Sequence, residues 1–90
     1  SMDQYHEEAD VHDSSGIPNH AFYLAAKQMG GHAWEKAGPI WYAAFGKLKP
    51  RAKFSDAARA TLRSAAARFG TASKEHSAVK SAWQAVKVLP

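Results

Sequence analysis

The strongest constraint on the fold is a series of four apolar-periodic segments, each ended by glycine or proline. Within each segment apolar side chains recur every three or four residues, which is the spacing of one face of an α-helix. A glycine at a helix end accepts positive φ, and a proline cannot continue a helix. The pattern predicts helices at roughly 16–29, 33–48, 55–69 and 73–87. The predicted fold class is therefore all-α, a compact bundle of about four helices.

The first predicted helix has recognisable signals at both ends. Ser14 and Ser15 suit its N-cap, because a hydroxyl can accept a hydrogen bond from a backbone N–H of the first turn. Pro18 falls in that turn, where its missing N–H costs little. The Gly-Gly pair that starts at Gly30 supplies the stop. His12 therefore lies just outside the helix, where an enzyme could aim it at a substrate.

The three later helices have caps and apolar faces of their own. Gly38-Pro39 interrupts the second helix near its start, where a kink is the expected consequence. Ser55 is the expected N-cap of the third helix and Gly70 its stop, and the fourth helix starts near Ser73. The expected apolar faces are Trp34, Ala37, Trp41, Ala44, Phe45 and Leu48 in the second helix, Phe54, Ala58, Leu62, Ala65 and Phe69 in the third, and Val79, Trp83 and Val86 in the fourth.

Length and composition limit the functions that remain. Ninety residues allow one domain with a small core. The absence of cysteine excludes a disulfide framework and a thiol nucleophile. The net charge of +4 permits an acidic partner, but it is spread over several helix faces and more simply supports solubility, so no nucleic acid is expected. No stretch approaches the roughly 20 apolar residues of a membrane span, so no membrane partner is expected either.

Residues 1–10, SMDQYHEEAD, are polar and show no apolar period. We expect a polar lead-in, partly a tag remnant and partly disordered, ahead of a helical domain at 11–90. The start is acidic rather than basic and then apolar, so no signal peptide is expected in this chain. The run from His6 to Asp10 imitates H-E-x-x-H without its second histidine. Since no helix is predicted there to aim two ligands at one zinc ion, a polar terminus is favoured.

The residues VH..SGIPNHAFYLAA, followed by GG.AWEKAG.IWY, closely resemble the C-terminal part of thermolysin-like zinc metalloendopeptidases (peptidase family M4). In that family the first motif reads roughly G-G-V-H-x-N-S-G-I-x-N. The later FSDAARAT and the closing VK.AW.AV are similar as well, so the resemblance runs from about Val11 to Leu89. It implies an all-α C-terminal domain that forms one wall of the substrate cleft of a secreted peptidase.

The resemblance also implies site residues. By residue match His12 takes the family's role of donating a hydrogen bond to the tetrahedral intermediate. The family's orienting aspartate, five residues earlier, corresponds to Glu7, whose carboxylate would raise the pKa of the histidine and favour its donating form. The loop departs from the family pattern at Ala9-Asp10, in place of Gly-Gly, and at Asp13. These changes fit either a domain that keeps its fold while its catalytic role is relaxed, or an enzyme whose catalytic properties are altered.

The cofactors that the resemblance implies belong to the full-length enzyme. In the family the H-E-x-x-H helix and the third zinc ligand, a glutamate, precede the segment represented here, and no H-E-x-x-H occurs in this chain. We therefore expect zinc to be bound by residues outside this chain, and no peptide-bond hydrolysis from the chain alone. The resemblance leaves calcium open as a second metal of the full-length enzyme, and its usual carboxylate clusters are absent from this segment.

Three functional hypotheses stay open at this point. The first is the cleft wall just described, with the N-terminal catalytic half of the peptidase and a polypeptide substrate as partners. The second is a stand-alone helical protein-binding module derived from this domain, and the third is a small basic nucleic-acid binder. A parent gene with H-E-x-x-H upstream would favour the first, and base-selective DNA binding would favour the third. Apolar surface near Ile17 to Phe22 also predicts self-association.

Overall fold

The computed structural model describes residues 16–90, which fold into four α-helices. Helix α1 spans Gly16–Met29, α2 spans Ala33–Gly46, α3 spans Phe54–Phe69 and α4 spans Lys74–Ala85. Each helix packs on two others, since α1 lies against α2 and α4, and α3 lies against the same two helices. The predicted all-α bundle of four helices is therefore confirmed.

The core between the helices is built mainly from alanine. Small side chains let helix axes approach closely, so a chain of this length can close a core with few large residues. The largest fully buried side chains are Trp83, Phe54, Met29, Ile40, Val79, Val88 and Thr61. The fourth-helix prediction holds, because Val79, Trp83 and Val86 are all buried. The prediction for α3 holds for Phe54, Ala58 and Ala65, while Phe69 at its end is 38% exposed.

Several helix ends agree with the sequence signals, but α3 starts one residue before its predicted start and α2 and α4 each end two residues before their predicted ends. Gly30, Gly31 and Gly70 have positive φ at 68°, 54° and 95°, as a helix stop requires. Ser73 caps α4 by accepting a hydrogen bond from the backbone N–H of His76 at 3.0 Å. The predicted caps of α1, Ser14 and Ser15, lie outside the described residues.

Ser55 is not the N-cap of α3, and this prediction is wrong. The helix begins one residue earlier, at Phe54, with Lys53 in the cap position. A lysine side chain cannot accept a hydrogen bond, but Asp56 reaches back and accepts the backbone N–H of Lys53 at 3.0 Å. A carboxylate in the first turn also complements the positive end of the helix dipole, so Asp56 replaces the serine as the residue that fixes this helix start.

Helix α2 passes through Gly38-Pro39 and ends at Gly46, two residues earlier than predicted. Two of its predicted core positions, Ala37 and Ala44, are buried, but Trp34 in its first turn is 59% exposed. Ile40, which the predicted apolar face did not include, is fully buried. The buried stripe of α2 therefore runs along Ala33, Ala37, Ile40 and Ala44, and the tryptophans flank it.

Candidate functional site

The two site residues that the resemblance implies, His12 and Glu7, lie outside the described residues. The described chain begins at Gly16, four positions after His12. What the structure describes is therefore the support from which the predicted catalytic loop departs, together with the surfaces beside it.

Helix α1 is firmly seated in the bundle. Its buried positions follow the helical period from the first turn to the last: Pro18, Ala21, Ala25, Ala26 and Met29. Ile17 is half-buried and packs against the same core, whereas His20 and Lys27 face solvent as expected. Because the first turn is already packed, the segment that precedes Gly16 starts from a fixed point.

A row of four aromatic rings connects the surface beside α1 with the core. Phe22 lies between two tryptophans, with ring centroids 5.2 Å from Trp34 and 5.4 Å from Trp41. Trp41 then stacks on Trp83 at 5.8 Å with their planes 1° apart. We call these four residues the aromatic row. It ties α1, α2 and α4 together, and Phe22 is the residue of α1 that packs between the two tryptophans of α2.

The inner end of the aromatic row is fixed by hydrogen bonds. The Nε1–H of Trp83 donates to Oγ1 of Thr61 at 2.7 Å, and that hydroxyl donates to the carbonyl of Ala58 at 2.9 Å. All three residues are buried, so this pair of bonds satisfies polar groups that would otherwise be costly in the core. The Nε1–H of Trp41 is also buried but has no hydrogen-bond partner among the described residues.

The outer end of the aromatic row forms an exposed surface. Tyr23, 50% exposed, and Trp34 line a shallow depression of about 260 Å³ together with Lys27, Gly30 and Gly31. The ammonium of Lys27 lies 5.9 Å from the centre of the Tyr23 ring. We call these five residues the aromatic surface. Apolar exposure was expected between Ile17 and Phe22, but both of these residues are half-buried, so the exposed face lies further along α1 and on α2.

Two described carboxylates have pKa values that their neighbours lower. Glu75 accepts a hydrogen bond from the ammonium of Lys36 at 3.0 Å, which lowers the glutamate's pKa and links α4 to α2. The pKa of Asp56 is lowered first by the backbone N–H of Lys53 and then by the guanidinium of Arg59, 2.6 Å away. The first pair joins two helices, and the second fixes the start of α3.

The described residues do not fit a catalytic zinc ion. Within 16–90 no group of three or more His, Asp or Glu side chains comes close enough together to hold a metal. A peptidase zinc site needs three such ligands and an open position for water. No helix in this part of the chain is long and apolar enough to cross a bilayer. What these residues offer is a rigid support with an exposed aromatic surface.

Comparison with known proteins gives the same family as the motif. The model of the family described as "Thermolysin metallopeptidase, alpha-helical domain" matches residues 1–88. An extracellular metalloprotease of Pectobacterium carotovorum subsp. carotovorum is 48% identical over 80 residues, which is 87% of this chain and 22% of that protein. Protease PrtS of Photorhabdus sp. (strain Az29) is 60% identical over 38 residues, 42% of this chain and 10% of that protein. No solved structure matches significantly. The chain thus spans about a fifth of the first relative's length.

Proposed function

The chain belongs to the thermolysin metallopeptidases as their α-helical domain, and we propose that it forms one wall of a peptidase substrate cleft and contributes His12 to the reaction. The observation that carries this proposal is the V-H-x-x-S-G-I motif, which lies within residues 1–88, the range that the family model matches. In this proposal His12 donates a hydrogen bond to the oxyanion of the tetrahedral intermediate, and Glu7 orients its imidazole. A single donor of this kind is worth about 10²–10³ in kcat.

The seating of α1 supports this role. His12 lies four positions before Gly16 in the sequence, so the reach of the chain limits the histidine to within about 14 Å of the start of α1. A catalytic donor gains from a rigid base, because a misplacement of about 1 Å can cost two orders of magnitude in rate. The packed first turn of α1 provides such a base, with Pro18 and Ala21 buried.

The metal chemistry of the proposed enzyme comes from outside this chain. The sequence has no H-E-x-x-H and the described residues hold no ligand cluster, so the catalytic half of the parent protein would bind the zinc and any calcium. That half and a polypeptide substrate are the proposed partners. By analogy with the relative that is named extracellular, the proposed location is outside the cell. The 90-residue chain supplied with zinc should leave casein intact, and hydrolysis would contradict the proposal.

The decisive experiment is a chimera with the Pectobacterium metalloprotease. The matching 80-residue segment of that enzyme is replaced by this chain, and peptide hydrolysis is followed as kcat and KM. We expect an active chimera in which His12→Ala lowers kcat by about 10²–10³ and leaves KM within a few fold. Glu7→Gln should give a smaller loss, because it weakens the orientation of the histidine without removing the donor.

The matched control is His20→Ala, which removes an exposed histidine of α1 from the same chimera. It should leave kcat and KM unchanged. A folded but inactive chimera would contradict the cleft-wall proposal, as would equal losses in the His12→Ala and His20→Ala variants. Far-ultraviolet circular dichroism of each variant separates loss of chemistry from loss of helix.

A further inference from the structure

A basic groove runs between the C-terminal half of α2 and the middle of α3 and continues along the loop that joins them. Two adjoining cavities of about 450 Å³ and 380 Å³ make up the groove and share Lys47, Leu48 and Arg63. Its lining includes six cationic residues, all exposed: Lys47, Lys49, Arg51, Arg59, Arg63 and Arg68. This concentration of cations is unlike the scattered charge that the composition suggested.

Few carboxylates lie near the basic groove within residues 16–90. Asp56 is the one carboxylate among the described residues of its lining, and it is already engaged by Arg59 and by the backbone N–H of Lys53. All 12 Lys and Arg residues lie within 16–90, with only three of the eight Asp and Glu residues, so this part of the chain has a formal charge of +9. Such a field attracts and orients an anionic partner.

The floor of the basic groove is apolar except for one hydroxyl. The apolar residues that line it are Ala43, Ala44, Leu48, Ala60 and Ala67. Ser64 also lines it, and its Oγ is buried with no hydrogen-bond partner among the described residues. A buried hydroxyl without a partner is costly, and a bound group that supplied a hydrogen bond would recover that cost.

We propose that the basic groove binds an extended, glutamate- or aspartate-rich segment of a separate polypeptide. The partner's carboxylates pair with Arg63 and Arg68, whose planar guanidinium groups suit two-pronged binding of a carboxylate. Its backbone lies over the alanine floor, where the buried Ser64 side chain turns toward the groove so that its hydroxyl bonds a peptide N–H or C=O. The inference uses only described residues and stands whether or not His12 takes part in catalysis.

Two features favour a peptide over the other anionic occupants. Single-stranded nucleic acid is held by aromatic rings on which its bases stack, and the lining of the basic groove contains none. A separate acidic polypeptide matches both the charge and the neutral hydroxyl. The chain's own acidic residues before Gly16 are the competing occupant, and removal of residues 1–15 distinguishes the two.

The test is fluorescence anisotropy with a short labelled glutamate-rich peptide and the full chain. The double variant Arg63→Gln/Arg68→Gln should weaken binding about fivefold to tenfold at moderate salt, since it removes two carboxylate partners. The control Lys74→Gln/Lys80→Gln removes the same charge from exposed positions on α4 and should change the affinity by less than twofold. Equal losses in the two variants would mean that net charge alone matters and would overturn the proposal.

Three further measurements decide the nature of the occupant. Ser64→Ala leaves the charge unchanged and should weaken peptide binding a few fold, and an unchanged affinity would contradict the backbone contact. An oligonucleotide of equal charge that competes more strongly than the peptide would overturn the choice of partner. So would peptide binding that appears only after residues 1–15 are removed, because the chain's own acidic segment would then be the occupant. Circular dichroism verifies that each variant remains helical.

Discussion

At the scale of single residues, Thr61 is the residue whose role is most sharply defined by the structure. Its hydroxyl accepts the Nε1–H of Trp83 and donates to the carbonyl of Ala58, all within the core. Thr61→Val keeps the shape of the side chain but leaves a buried indole N–H without an acceptor. We expect a loss of about 1–3 kcal/mol in the free energy of unfolding, measured by urea denaturation followed by tryptophan fluorescence.

A double-mutant cycle shows whether this loss comes from the hydrogen bond. In a Trp83→Phe background the indole N–H is absent, so Thr61→Val should cost clearly less than in the native chain. If Thr61→Val costs the same in both backgrounds, the hydroxyl acts through Ala58 or through packing, and the hydrogen bond to Trp83 is not the cause.

Asp56 makes a second residue-scale prediction, about acid stability. Its folded-state pKa is lowered from 3.8, first by the Lys53 N–H and then by Arg59. A lowered carboxylate pKa contributes stability that is present above the unfolded pKa and is lost as the pH falls through the folded pKa. Asp56→Ala should therefore cost about 1 kcal/mol at neutral pH, and the difference from the native chain should shrink below pH 3.8. A difference that stays constant across this range would contradict the account.

The aromatic residues show how far the sequence predicts individual positions. The apolar period of α4 predicted correctly that Val79 and Trp83 are buried. Both lie in the middle of the helix, where the neighbouring helices cover a side chain from both sides. The apolar period of α2 placed Trp34 in the core, but Trp34 lies in the first turn of α2, where it packs on Phe22 and stays 59% exposed. Periodicity gives the direction of a side chain and not the extent of the partner helix that would cover it.

At the scale of the helices, Gly70 and Gly46 end their helices with different backbone conformations. Gly70 ends α3 with φ 95° and ψ 155°, which side chains rarely adopt, whereas Gly46 ends α2 without positive φ. No neighbouring atom would meet a Cβ at either position. Gly70→Ala should therefore destabilise the chain by about 1–2 kcal/mol through backbone strain alone.

Gly46→Ala is the matched control, and it should stabilise the chain by about 0.5 kcal/mol because alanine has the higher helix propensity. Thermal unfolding of the two variants beside the native chain checks both signs. Two changes of the same sign would show that the backbone conformation at Gly70 does not decide its identity.

Helix ends were also where sequence reasoning worked and failed for identifiable reasons. The stops at Gly30, Gly31 and Gly70 were predicted because positive φ selects glycine directly. The start of α3 was missed because a serine was preferred as cap, while the structure uses a carboxylate three residues beyond Lys53. A cap formed from inside the helix leaves no conventional cap residue at its start, so the sequence around Lys53 gives no usual cap signal.

At the scale of the whole molecule, the sequence predicted the bundle and the family but not the surfaces. The resemblance supplied His12 and Glu7 as site residues, and both lie outside the described part, so their roles stay predictions. The basic groove was not predicted, because its cations come from two segments, the loop at 47–51 and helix α3, that line one groove only when α2 packs on α3. The net charge of the whole chain is only +4, because the acidic residues before Gly16 offset part of the +9 that residues 16–90 carry. The net charge therefore gave no indication of the basic groove.

The last prediction concerns self-association through the aromatic surface. Tyr23 and Trp34 leave about half of their side chains exposed around one depression. In the proposed enzyme such a surface would suit a neighbouring domain, and in the isolated chain a second copy is the available cover. We expect a weak dimer in light scattering or sedimentation at high protein concentration, and its population should rise with salt, since screening reduces the repulsion between two positively charged chains.

Two variants with similar losses of aromatic area test which surface is used. Trp34→Ser should abolish the dimer, whereas Tyr42→Ser, which removes an 86% exposed ring outside that depression, should leave it unchanged. A strict monomer at high concentration would contradict the prediction, and so would equal effects of the two variants. The salt response separates this contact from the basic groove, because peptide binding by opposite charges weakens as salt rises while association of like-charged copies strengthens. One salt titration therefore distinguishes the two surfaces: dimerisation through the aromatic surface should strengthen as salt rises, and peptide binding in the basic groove should weaken.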